Sequence, residues 1–288
     1  MAPPLHYRTL TKADLGQMHR SFIEAFSNYQ VNMKMTREAF EDRMLHKLNI
    51  NFDLSPSVFS GDKLVGFIFQ TINEYEGVLT AYNGGTGVIP GYLGQGLTAK
   101  LYDFISPRLI GEGVEKCVLE VLTENKQAIK AYRNSGFEVS KDFQCLLLRD
   151  GILDLKTKNE FEINEVKDFQ IEEYQLLGDI LPSMLDQLEQ VKYHLPSERI
   201  LEVRIGHELQ GFIIFQPHNG RITQLAVRKN SRRQGIGTAL IHHAHLMSES
   251  KNFSVLNIEA TQDGIISFFE KLGFSRDLKQ YEMARLLP

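Results

Sequence analysis

The residues of this 288-residue chain best placed to do chemistry begin where an apolar stretch, Leu225-Ala-Val227, runs into Arg228-Lys-Asn-Ser-Arg-Arg-Gln-Gly-Ile-Gly237. A strand that ends in a basic, glycine-bearing turn and then opens a helix is an anion site. Free backbone N–H groups point at the ligand, and the helix dipole stands behind them. Gly235 and Gly237 let a bulky diphosphate approach the main chain, Arg232 and Arg233 add charge, and Gln234 and Ile236 complete the turn. A looser copy is Val88-Ile-Pro-Gly-Tyr-Leu-Gly-Gln-Gly-Leu-Thr98, in which Gly94, Gln95, Gly96, Leu97 and Thr98 offer backbone amides without the arginines. A plain strand-to-helix turn is the competing reading of each. The run from Arg228 to Arg233 is accounted for by its loop, so it calls for no nucleic acid. His242-His-Ala-His245 has no acidic or cysteine neighbour and is not expected to hold a metal.

The elements that position these loops recur. Leu64-Val-Gly-Phe-Ile-Phe-Gln70 returns as Leu209-Gln-Gly-Phe-Ile-Ile-Phe-Gln216, the two glycine loops correspond, and Tyr132-Arg-Asn-Ser-Gly-Phe137 returns as Phe269-Glu-Lys-Leu-Gly-Phe274. The offsets shrink from 145 to 139 to 137 residues, as a second copy with shorter loops requires. Two copies of one fold follow, with domains 1–152 and 153–288 joined through the polar stretch Asp150 to Glu160. Each half reads as strands, helices at the glycine loop and before the Gly-Phe corner, and a last strand. That order predicts a mixed α/β fold, a mostly antiparallel sheet flanked by helices.

Composition fits: 42% hydrophobic and 24% charged residues describe a globular chain of about two domains. A net charge of −4 gives no nucleic acid as partner, and no apolar run approaches the ~20 residues of a membrane span. The start, Met1-Ala-Pro-Pro-Leu-His-Tyr-Arg8, lacks the layout of a secretory signal. A cytoplasmic protein with Cys117 and Cys145 reduced is expected.

At the glycine loops, and at Asn125 to Phe137, the sequence resembles the GNAT superfamily of acyl-CoA-dependent N-acetyltransferases in both halves, as a tandem pair. Arg232, Gly235 and Gly237 match the family's Arg/Gln-x-x-Gly-x-Gly/Ala loop, whereas Leu93 and Thr98 depart from it. Asn125, Ala128, Tyr132, Gly136 and Phe137 fall in register with the family's Asn-x-x-Ala-x-x-x-Tyr-x-x-x-Gly-Phe segment. The resemblance implies acetyl-CoA as donor, no metal, and a small-molecule or peptide amine as acceptor, in a monomer or homodimer. It makes Tyr132 the general acid for the departing thiolate and Asn125 a cofactor contact, although Asn125 also reads as a helix N-cap. It places the Val88 N–H at the thioester oxygen, with Val227 as its counterpart on the strand that carries Leu225. A bulge is expected at Gly84, Gly85 and Gly87.

Glu120 is the candidate base, beside water as an alternative. Asn28, Tyr29, Tyr82 and Asn83 lie in segments expected to border the acceptor, and being polar rather than acidic they do not favour a strongly polycationic one. Counting back from Gly273 puts Phe269 opposite Tyr132 and Gln262 opposite Asn125, so the second half has the better phosphate loop and lacks the acid. A missing acid costs ~10²- to 10⁴-fold, more than an imperfect phosphate contact. Catalysis is therefore expected in the first half. Catalysis by the second half, or acyl-CoA binding without turnover, is the alternative.

Overall fold

The structure, a computed structural model, describes residues 3–27, 33–150 and 160–288. The chain forms two compact units, Met1–Lys141 with Tyr281–Pro288, and Asp142–Gln280. The sequence-based boundary at 152/153 falls within 151–159, outside the described residues.

Unit 1 runs β1 (Leu5–Thr9), α1 (Leu15–Ala25), α2 (Arg37–Asp42), β2 (Pro56–Ser60), β3 (Lys63–Tyr75), β4 (Val78–Val88), α3 (Leu97–Gly111), β5 (Lys116–Leu122) and α4 (Lys126–Asn134). β6 (Glu138–Leu148) begins in unit 1 and continues into unit 2. Unit 2 then has β7 (Ile163–Val166), α5 (Ile171–Gln175), α6 (Leu188–Val191), β8 (Arg199–Ile205), β9 (Glu208–Gln216), β10 (Arg221–Val227), α7 (Ile236–Met247), β11 (Phe253–Glu259) and α8 (Asp263–Lys271). The final strand, β12 (Ser275–Leu286), starts in unit 2 and delivers its end to unit 1.

Within unit 1 the strand order is β1-β2-β3-β4-β5-β12, and within unit 2 it is β6-β11-β10-β9-β8-β7. β4–β5 and β10–β11 are parallel pairs, and the hairpin neighbours β3–β4 and β9–β10 are antiparallel, which is the mixed sheet the sequence predicts. Alternation along the strands sends one set of side chains to each face. In unit 1, Val65, Ile68, Ala81, Leu119 and Met283 meet Leu101 and Ile105 of α3. In unit 2, Ile213 and Phe215 meet Leu240 and Ile241 of α7, while Phe212 and Ile214 meet Tyr174 and Val191 on the other face. No helix among the described residues is long and apolar enough to cross a membrane.

The repeat is visible in the helix ends. After α4, Gly136 at φ +85° lets the Phe137 N–H return to the Tyr132 carbonyl at 3.0 Å; after α8, Gly273 at φ +92° does the same for Phe274 and Phe269 at 3.1 Å.

Both cysteines are buried free thiols. Burial pushes the Cys117 thiol up to about 12, with Arg285 opposing. Cys117 is therefore expected to resist alkylation by iodoacetamide at pH 8 in the native protein and to react once denaturant is added, which peptide mapping checks.

Candidate functional site

In unit 1, β4 and β5 pair from Thr80↔Lys116 to Asn83↔Leu119 and then part. The parting has a local cause. Against β3, Gln70 faces Asn83 while Phe69 faces Gly85, so Gly84 is the extra residue of a bulge. Asn83 holds that bulge: its Nδ2 donates to Thr86 Oγ1 at 2.7 Å and Tyr102 Oη at 2.8 Å, and its Oδ1 accepts the Gly85 N–H at 3.0 Å. A Cβ at Gly84 would collide with Leu48. The edge of β4 from Gly84 to Val88 is thereby left without β5 as a partner.

Past Val88 the chain makes one 3₁₀ turn and reaches Gly96, the N-cap of α3, at φ +68° and ψ 24°. The N–H groups of Leu97, Thr98 and Ala99 start the helix with no intrahelical carbonyl to meet. The Leu97 side chain is in the core; Gly94, Gln95 and Leu93 are exposed, and Thr98 is half-buried.

Glu120 is the first residue of β5 beyond its last pair with β4. Cys117, Leu119 and Val121 face the α3 core, so by alternation Glu120 looks to the opposite face. Its charge is felt there by Tyr75, whose phenol is pushed far above its ordinary value by burial, then by Glu282, Glu76 and Glu120. Tyr132 is half-buried on α4, packed on the core with its ring 6.0 Å from Phe137. Asn125 is the N-cap of α4, its Oδ1 accepting the Ala128 N–H at 3.0 Å. Tyr82 and Asn83 are buried; Asn28 and Tyr29 lie outside the described residues.

In unit 2, β10 and β11 pair only at Arg221↔Ser254 and Ile222↔Val255 before parting, and Thr223 is the extra residue of the β10 bulge. Gly235 caps α7 at φ +101°, and Ile236 buries its side chain in the core. Two loop positions differ in instructive ways. Arg233 stands at the place of Gly94 and takes the same left-handed turn, φ +64° against +77°, at a cost of about 1 kcal/mol. A Cβ on Gly237 would come 3.2 Å from Phe268, whereas unit 1 pairs Thr98 with Ala131 at the equivalent places.

The parted strands of unit 2 open on a cavity of about 950 Å³, near the upper end for ligand sites. Arg232, Arg233 and Gly235 line one end; Leu225 and Val227 lie along it; Asp186, Thr223 and Asn257 line the other. Arg232 donates to Asp179 at 2.9 and 3.0 Å and to the Val227 carbonyl at 2.9 Å, and it holds the Asp179 carboxyl below the usual range. Gln234 is exposed, with Nε2 3.3 Å from the Asn230 carbonyl.

Sequence reasoning missed the polar far end of this cavity. Asp186 is buried and bonds Arg221 at 2.6 and 2.8 Å, and Asn257 donates to Ser183 at 3.3 Å. Asn257 precedes Gly273 by the sixteen residues that separate Glu120 from Gly136. Phe269, at the place of Tyr132, is buried 5.0 Å from Phe274. Unit 2 thus has an amide where unit 1 has a carboxylate, and a phenyl where it has a phenol.

The model described as "Acetyltransferase (GNAT) family" matches residues 17–137, and the one described as "Acetyltransferase (GNAT) domain" matches 196–276. No curated protein matches the chain. Among solved structures, a tandem GNAT protein from the clavulanic acid biosynthesis pathway is similar at TM-score 0.73 and 13% identity, covering 99% of each chain. A GCN5-related N-acetyltransferase from Sphaerobacter thermophilus is similar at TM-score 0.69 and 13% identity, over 99% of this chain and 97% of that one. A GCN5-related glucosamine N-acetyltransferase region of a fungal multi-domain β-N-acetylglucosaminidase is similar at TM-score 0.72 and 14% identity, over 99% of this chain and 38% of that one. At these identities the likeness is one of fold.

Proposed function

We propose that this chain, which belongs to the GNAT acetyltransferases and carries two of their domains, moves an acetyl group from acetyl-CoA to a primary amine by direct attack, and does so in unit 1. The observation that carries the assignment to unit 1 is the pair of side chains flanking its parted strands. Glu120 and Tyr132 stand where unit 2 has Asn257 and Phe269.

The amides of Leu97, Thr98 and Ala99 would hold the diphosphate, and the open edge from Gly84 to Val88 would pair with the amides of the pantetheine arm, the Val88 N–H turning to the thioester oxygen. Bound there, the donor supplies an activated acetyl carbonyl. An alkylammonium of pKa ~10.4 is about one part in a thousand neutral near pH 7.4. Glu120 takes its surplus proton, directly or through water. A free phenol has a pKa of ~10 and a free thiol ~8.5, so a tyrosine placed as Tyr132 is can protonate the departing sulfur without a large mismatch. The acceptor is a small-molecule or peptide amine and the setting cytoplasmic. Unit 2 keeps a phosphate loop and a cavity without that acid and base, so it binds a CoA thioester without this transfer.

Paired substitutions at the helix caps test the assignment. Both caps sit at positive φ, so Gly96→Asp and Gly235→Asp are each expected to cost about 1–3 kcal/mol of stability, which thermal unfolding measures, while each sets a carboxylate against the amides that the diphosphate needs. Gly96→Asp is expected to raise the KM for acetyl-CoA about tenfold, and Gly235→Asp to leave turnover unchanged. The reverse pattern in steady-state assays would move catalysis to unit 2.

A further inference from the structure

Unit 2 contains a chain of polar groups that direct transfer to an amine leaves unused. Thr223 Oγ1 donates toward Glu198, 3.1 Å from each carboxylate oxygen. The Glu198 side chain has no exposed surface, and it accepts from Gln216 Nε2 at 2.8 Å and lies 3.1 Å from His194 Nδ1. Hydroxyl and carboxylate stand to one another as a nucleophile and its base do, and beside the carboxylate lies an imidazole whose two ring nitrogens make no hydrogen bond among the described residues. His194 is itself buried.

Position adds to the chemistry. Thr223 is the bulge residue at which β10 leaves β11, and it lines the cavity that the phosphate loop also lines. A thioester reaching past the Val227 N–H along the open edge to Gln224, about 10 Å deeper than the pose read for unit 1, would bring its carbonyl toward this hydroxyl. The same bulge place in unit 1 is Gly84, which has no side chain to acylate. Burying an ionised carboxylate costs several kcal/mol, and apolar residues of like volume often serve stability as well. A Glu–His pair behind a hydroxyl at a cavity wall therefore needs a reason beyond packing.

We propose that Thr223 is an acyl acceptor. Its Oγ1 bonds to the carbonyl carbon of a CoA thioester held in unit 2 as the carbon–sulfur bond breaks. The hydroxyl proton passes to Glu198 and then to the departing sulfur, leaving an O-acyl threonine and the free thiol. This rests on the reading that the glycine loops bind CoA thioesters.

The test uses the full chain carrying Tyr132→Phe, which suppresses amine acetylation by unit 1, incubated with acetyl-CoA and followed by intact mass and peptide mapping. One acetyl group is expected on the peptide bearing Thr223, removable by alkaline hydroxylamine as an ester is. It should be retained in Thr223→Ser, absent in Thr223→Val and formed about tenfold or more slowly in Glu198→Gln. An unmodified Thr223, or an adduct that survives Thr223→Val, overturns the proposal. Calorimetric titration of acetyl-CoA in parallel separates the two readings: binding to unit 2 without the ester sinks only the threonine, and no binding to the chain sinks both.

Discussion

Tyr132→Phe is expected to lower kcat by about 100-fold or more while the Kd for acetyl-CoA, measured by calorimetry, stays within about twofold. The substitution removes one oxygen and leaves the packing. Unit 2 shows that phenylalanine fits this helical place, since Phe269 sits against Phe274 much as Tyr132 sits against Phe137. A loss of rate without a loss of melting temperature therefore reports the proton. Without the phenol the thiolate must leave unprotonated or draw on water, and a positioned donor is worth ~10²- to 10⁴-fold over that. A variant as fast as its parent would show that another group supplies the acid. A joint fall in kcat and thermal stability would make Tyr132 a packing residue.

Much of the frame was legible because its signals are local. Continuous apolar runs mark β3 and β9, and the glycine turns mark the starts of α3 and α7 to within two residues. Gly84 as a bulge could be expected because a run of glycines inside a strand has few other uses. Asn83 shows where locality ends. It reads as a polar residue beside the acceptor, and in the fold its amide is taken up by Thr86, Tyr102 and Gly85.

The wall and far end of the unit 2 cavity had no such signal. Residues 171–197 form only short helices and turns, without a run long enough for periodicity to show. Asp186 meets Arg221 across 35 residues and Glu198 meets Thr223 across 25. No spacing rule links partners so far apart. The exchange of strand ends between units is hidden for the same reason: β6 and β12 each read as one strand, and only tertiary pairing divides them.

That exchange makes Glu282→Ala a damaging change in unit 1, at about 1–3 kcal/mol for the hydroxyl donor it strands. Glu282 arrives on β12 from the far end of the sequence and is buried. It accepts from Tyr75 Oη at 2.8 Å and Ser140 Oγ at 2.8 Å, and Lys141 Nζ lies 3.5 Å from it. Lys141 also donates to Tyr75 at 2.7 Å and pairs with Glu76 at 2.6 Å, while Lys116 pairs with Glu76 at 2.7 Å and lies over the Tyr75 ring. Removing the carboxylate strands the Tyr75 hydroxyl and takes one of its two counter-charges from half-buried Lys141, while Ser140 keeps the Glu282 carbonyl at 3.2 Å. Glu282→Gln keeps an acceptor and should cost less, about 0.5–1.5 kcal/mol. Denaturant unfolding should show the unit 1 transition moving to lower denaturant and the unit 2 transition staying in place; an unmoved unit 1 transition would mean that water replaces the carboxylate at no cost. The same contacts bear on where unit 1 can be cut. A fragment ending at residue 152 lacks Glu282 and also Met283 and Leu287, both buried in the unit 1 core, so it is expected to unfold although it contains both Glu120 and Tyr132.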